Sequence, residues 1–321
     1  MIDDRLIERA AAADLEAAAE LDAMGLLVGR EESAAAYGER LDALRSNTLA
    51  MREALARDGR YEVEGFTVSA SEEIPSDLFE EASAVTRDLY GFAIRWVPGF
   101  FINPSFSLLF GGCAFYFYPD FFALFIIRKC FSVRERWLIY SRTELLSHEL
   151  CHVARLGLMS TVFEETFAYQ TATSGFRRMV GSIFRRPSDS FMFLGSALVL
   201  LLGQMVRTLV APWLWIAPFW GVVLLVFAFL IVRHIGHRRV FSRALACLSR
   251  LVGGDAGAVL FRCTDEEIEA IATLGSINGL RAWLTARVSS EFRWQVIAHR
   301  YPALSSSGST DTAVPEGPQD S

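Results

Sequence analysis

Lysine is almost missing from this 321-residue chain: Lys129 is the only one, and arginine carries nearly all of the positive charge. That bias reads as genomic base composition rather than function. Basic residues are outnumbered, 31 against 37 acidic ones, for a formal net charge of −6. No basic face dominates such a total, which argues against a nucleic-acid partner. Cysteine is scarce and odd in number: Cys113, Cys130, Cys151, Cys247 and Cys263 show no CxxC spacing. A disulfide framework is therefore not expected, and a reducing compartment fits better. The opening MIDDRLIERAAAADLEAAAELD starts with acidic residues and never develops an apolar h-region, so no signal peptide is expected. No internal repeat interrupts this picture.

Apolar residues, in contrast, are in surplus: 52% of the chain is hydrophobic, with 25 Phe and 7 Trp and a mean hydropathy of +0.29. Soluble domains sit at about 45–50% apolar. The surplus is local. SFMFLGSALVLLLGQMV (190–206) is followed, after Arg207 and a short loop with Pro212, by WLWIAPFWGVVLLVFAFLIV (213–232). Each run approaches the roughly 20 residues a membrane-spanning helix needs. Trp213, Trp215 and Trp220 gather near one end, where an interfacial aromatic belt would lie. Arg177, Arg178, Arg185 and Arg186 precede the first run, Arg233, Arg238 and Arg239 follow the second, and only Arg207 lies between. The positive-inside bias then predicts a two-helix hairpin in the cytoplasmic (inner) membrane, both termini and everything outside the hairpin on the cytoplasmic side.

Around the hairpin the pattern predicts a mainly helical α+β chain. Residues 1–59 read as an N-terminal hairpin of two Ala/Glu/Arg-rich helices, with Leu41, Leu44, Leu49 and Met51 mostly on one side. RYEVEGFTVSA (60–70) alternates like a strand, and SDLFEEASAVTRDLYGF (76–92) like a helix capped by Ser76 or Asp77. The aromatic segment up to residue 127, broken by Pro104, Gly111, Gly112 and Pro119, reads as strands and turns, with a membrane-dipping segment as the alternative. ERWLIYS (135–141) is one more strand candidate. Beyond the hairpin, 233–304 is a C-terminal helical region. RRVFSRALACLSRLVG in it is basic and amphipathic enough to lie along the inner membrane surface. Thr264 or Asp265 caps a later helix. The Ser/Gly/Pro-rich tail, 305–321, is expected to be disordered.

The chemistry sits at 143–157, TELLSHELCHVARLG, within a central unit spanning 60–189. Leu145, Leu146, Leu150, Val153 and Leu156 give a helix an apolar face, and Gly157 a stop. On such a helix His148 and His152 share one face and can meet one ion, as the imidazoles of a zinc site do. Glu149 follows the first ligand and can serve a water at the open position as general base, the HExxH arrangement of zinc peptidases. Cys151 turns away from that face and reads as a small core residue. His234 and His237, beside arginines at the hairpin exit, read as interfacial side chains.

Catalytic zinc normally takes a third protein ligand, and STVFEETFAYQTATSGF (160–176) offers Glu164 and Glu165 at the start of a second helix. Here the sequence resembles the gluzincin metallopeptidases, in which HExxH on one helix is completed by a glutamate on the next. EETFAY matches with Glu165 as ligand and Ala168 three residues on. The resemblance covers about residues 120 to 175. It implies a zincin-like core, one Zn2+ held by His148, His152 and Glu165, a peptide or protein substrate, and a strand before the motif helix that aligns it, FALFIIR or ERWLIYS. It leaves the transition-state donor open among Tyr169, Tyr140 and His299, with Tyr169 preferred. The alternatives are an intramembrane zinc protease whose motif helix crosses the bilayer, and a zinc-binding membrane scaffold without hydrolysis.

Overall fold

The computed structural model describes residues 2–63, 66–103, 111–117, 122–138 and 140–305. In chain order the helices and strands are α1 (Asp4–Ala11), α2 (Leu15–Ala23), α3 (Ala34–Asp58), β1 (Arg60–Val63), β2 (Phe66–Ser69), α4 (Ser76–Tyr90), β3 (Gly99–Ile102), β4 (Gly112–Phe117), β5 (Phe122–Arg128), β6 (Arg136–Trp137), β7 (Tyr140–Ser141), α5 (Arg142–Arg155), α6 (Glu164–Ala168), α7 (Gly175–Val180), α8 (Pro187–Leu209), α9 (Ala217–Val252), α10 (Ala256–Phe261), α11 (Asp265–Thr273), α12 (Ile277–Ser290) and α13 (Phe292–Arg300). The chain is mainly helical with small sheets.

Three N-terminal helices stand where two were expected. Ala13 turns left-handed (φ 64°), and Asp14 accepts the Glu16 and Ala17 N–H groups as the cap of α2, so one alanine-rich run becomes two helices. Residues 60–70 are an antiparallel pair, β1–β2, rather than one strand. Helix α4 begins one residue earlier than the polar pair suggested: Pro75 occupies the cap, with no side-chain hydrogen bond. ERWLIYS supplies only the short β6–β7 pair, around a left-handed Leu138. The expected tail lies outside the described residues beyond Ser305.

The strands expected between 93 and 127 form a three-stranded sheet in the order β3-β5-β4, β3 parallel and β4 antiparallel to β5. Alternation sends Phe101, Phe125 and Ile127 into the main core, and Phe100, Ile102, Leu124 and Ile126 into a second cluster with Met51, Leu55 and Val68. Helix α5 packs on the first face through Leu146 and Leu150. Gly112 permits the close approach: a Cβ there would stand 2.7 Å from Ile127 and 3.0 Å from Leu145 of α5.

One continuous core joins side chains from Ile2 to Leu304. A buried ionic knot fastens its ends. Asp22 of α2, 2% exposed, accepts from Arg262 at 2.7 and 2.9 Å and also from Arg300 of α13. Arg262 donates besides to the carbonyls of Tyr90 and Ala258.

Helices α8 and α9 are each long and apolar enough to cross a bilayer, and only 11% of either apolar stretch is buried against the protein. Leu194, Leu201, Leu225 and Phe229 are all more than half exposed, which no soluble core helix would be. The basic amphipathic segment after residue 238 is not a separate surface helix. It continues α9, and its apolar side, Ala244, Cys247, Leu248 and Val252, is in the core. Packing against α10 and α11 therefore took the face that sequence assigned to the membrane.

Candidate metal centre

Ser141 caps α5, its Oγ accepting the Glu144 N–H, and the helix presents the motif as expected. Its end differs. The chain tightens into a 3-10 turn over Leu156–Leu158 and stops at Met159, left-handed at φ 51°, not at Gly157. At 14 residues, α5 is shorter than the roughly 20 that a span requires. Cys151 is fully buried as expected, and burial pushes its thiol up.

The chain then returns through α6, and three side chains converge. His152 Nε2 is 3.1 Å from His148 Nε2. Glu165 brings Oε2 within 3.5 Å of His148 Nε2 and Oε1 within 3.6 Å of His152 Nε2. Nitrogen and oxygen ligands at about 2.0–2.1 Å from a tetrahedral ion stand roughly 3.3 Å from each other. The three groups thus fit one ion, and among the described residues they form the one such cluster. Their side chains are 16–24% exposed, so the site keeps one side open.

Glu164, the alternative ligand, faces elsewhere. Its Oε1 is 3.2 Å from His152 Nδ1 and its Oε2 accepts from Arg155 at 2.8 Å. A carboxylate on the far nitrogen fixes the ring and its tautomer so that Nε2 faces His148 and Glu165. Arg155, 1% exposed, lies over the Phe167 ring at 4.3 Å and donates to the carbonyls of Phe261 and Cys263 and to Ser160 Oγ. Asp265 does not cap α11. Thr264 does, in a capping box with Glu267. Asp265 instead accepts from Ser160 Oγ at 2.5 Å and from the N–H groups of Thr161, Val162 and Phe163 at 2.7, 2.8 and 3.1 Å. Burial opposes its charge, yet these four donors hold its carboxyl below the usual range. The entry to α6 is thus strapped by a residue over 100 positions away, which no local pattern reveals.

Glu149 is held from the sheet: its Oε2 accepts the Ala114 N–H at 3.0 Å. Among the described residues β4 is an outer strand of the sheet, and its Ala114 N–H faces α5 rather than β5. FALFIIR is the central β5 and ERWLIYS makes only β6–β7, whereas GCAFYF lies beside Glu149. Of the three candidate donors, Tyr169 packs edge-on against His148, ring centres 4.8 Å apart. Tyr140 stacks on Trp137 at 6.4 Å. His299 is exposed in the last turn of α13.

Burial pushes His148 down toward its neutral form, with the charges of His152 and Arg177 adding to the effect. Burial also opposes a charged His152, but the Glu164 hydrogen bond and three carboxylates prevail and lift it to about 9. Burial lifts the Glu165 carboxyl to about 7 against the pull of His152, and raises Glu149 as well. Both raised ligands must lose protons to bind a cation. Zinc affinity is therefore expected to fall by about tenfold per pH unit from pH 9 to 7, and more steeply below 7, where Glu165 also holds a proton. Calorimetry in buffers of different ionisation enthalpy at pH 7 would register the released proton; a pH-independent affinity contradicts the ligand set.

No protein-family model matches this chain, and neither a curated protein nor a solved structure matches it.

Proposed function

We propose that this protein is a zinc-dependent peptidase anchored in the membrane by the α8–α9 hairpin. The observation that carries the reading is the convergence of His148, His152 and Glu165 to mutual distances of 3.1–3.6 Å, with Glu149 fixed beside them by the Ala114 N–H. A bound zinc supplies the Lewis acid that activates water and polarises the scissile carbonyl. An extended substrate would lie along β4, on the side that carries the Ala114–Glu149 contact. Glu149 takes the proton of the attacking water on a carboxylate oxygen and hands it to the leaving amine nitrogen. Burial raises its pKa, which favours its holding the proton between the two steps. Tyr169, against His148, is the side chain we assign to the oxyanion. The arrangement resembles that of gluzincins, here on a zincin-like core of β3–β5, α5 and α6.

Orientation follows from charge. Arg233, at the base of the hairpin, pairs with Asp189 at 2.6 Å, and Arg178, Arg185, Arg186, Arg238 and Arg239 lie on the same side. That side is cytoplasmic by the positive-inside bias, and the metal centre lies on it.

Purified protein is expected to hydrolyse an unfolded protein substrate, to stop when a chelator removes the metal, and to recover on adding zinc. Glu149→Gln is expected to keep its zinc and to lose about a hundredfold to ten-thousandfold in rate. A zinc-replete wild type with no more hydrolysis than Glu149→Gln would leave the non-hydrolytic scaffold reading standing instead.

A further inference from the structure

Helix α9 measures how far the metal centre stands from the bilayer. Its apolar run ends at Val232, and Arg233 begins the charged part. The Arg233–Asp189 pair marks the end of the hydrocarbon, because a charged pair is costly deeper in. Helix α6, which carries Glu165, packs on the next turns of the same rod. Phe163 lies 5.9 Å from the His237 ring and 6.2 Å from Phe241, and Phe167 lies 5.1 Å from Phe241. At 1.5 Å per residue, His237 and Phe241 stand about 6 and 12 Å beyond Arg233. Any tilt of α9 brings them closer to the lipid.

A second path of contacts agrees. Helix α7 and the turn after it lie along the base of the hairpin, with the Met179 carbonyl 2.7 Å from His234 Nε2 and the Arg178 carbonyl accepting from Arg238 at 2.9 Å. This segment exposes Phe176 (67%) and Met179 (51%) beside Arg178 and continues into the apolar surface of α8, the character of an interfacial segment. Tyr169 presses on Gly181 with no room for a side chain there, and its ring meets His148. Lipid surface, interfacial segment, tyrosine and metal ligand follow one another in direct contact.

Resting on the peptidase reading, we infer that the substrates are membrane proteins cut in an extended segment just outside their own spanning helix, on the arginine-rich side. An extended chain advances about 3.3 Å per residue, so some 12 Å of height is covered by about four residues. Allowing for the bend onto β4, the scissile bond falls roughly four to eight residues from the end of the substrate's span. The chemistry is ordinary hydrolysis: the water oxygen joins the carbonyl carbon, the C–N bond breaks, and a proton goes to the amine. What the bilayer adds is confinement of that bond to the level of α6 and the His–Glu cluster.

The test reconstitutes the full chain in lipid nanodiscs with a single-span substrate bearing an unfolded 30-residue tail of mixed sequence, and maps cuts by mass spectrometry. The same tail is supplied as a free peptide. The expected result is Glu149-dependent cleavage concentrated within about ten residues of the span, with the free peptide cut at least tenfold more slowly. Cuts spread evenly along the tail, or equal rates on the free peptide, overturn the inference and leave the peptidase standing. Absence of Glu149-dependent cleavage from both substrates removes the peptidase and the inference together.

Discussion

Glu165→Ala is expected to weaken zinc binding several hundredfold, and Glu164→Ala only ten- to a hundredfold. The two carboxylates are adjacent in sequence, but their oxygens do different work. Those of Glu165 lie 3.5 and 3.6 Å from the imidazole nitrogens of His148 and His152, the geometry of a shared-ion site. Those of Glu164 are taken by His152 Nδ1 and Arg155. Zinc held by four ligands gains about 10–16 kcal/mol, or roughly 2.5–4 kcal/mol per ligand, which is about seventyfold to eight-hundredfold in affinity. Removing the carboxylate behind a ligating histidine costs the smaller factor. Competition with a chromophoric chelator measures both, and His148→Ala should fall with Glu165→Ala. The opposite order would make Glu164 the ligand and demand a rotation of α6.

Asp22→Asn is expected to destabilise the protein by about 3–5 kcal/mol without touching the metal centre. Asp22 is 2% exposed and answers two arginines, Arg262 at the end of α10 and Arg300 at the end of α13. The asparagine keeps the shape but leaves two guanidinium charges without a counter-charge, and breaking a buried pair from one side carries a cost of this size. Against a total of about 5–15 kcal/mol, the midpoint of chemical unfolding should drop sharply while zinc affinity at low temperature stays within a few-fold of wild type. A shift under 1 kcal/mol would mean that solvent reaches the knot.

The parts of this protein legible from sequence are those whose information is local. His148, Glu149 and His152 share a face because of helical spacing alone. The paired glutamates lie close enough in the chain for a short turn to return them. Two long apolar runs announce themselves by length. What stayed hidden depends on pairing across distance. Ala114 reaches Glu149 across 35 residues, so the strand beside the site could not be read from the composition of the aromatic segment. The fate of the basic face after residue 238 depends on α10 and α11 being there to cover it. A cap inside an alanine-rich run, Asp14, was visible but weak against the helical propensity around it.

The brace around Arg155 and Asp265 also sets an order of events in synthesis. His148, His152 and Glu165 leave the ribosome well before the groups that steady them, for Phe163 and Asp265 are 102 residues apart with the whole hairpin between. A nascent chain therefore owns all three ion-binding heads while the helix bearing the last of them is still unanchored. Only after both apolar helices, α8 and α9, have been made can residues 261–265 clamp the entry to α6. The His–Glu cluster is steadied last, once α8 and α9 have been synthesised.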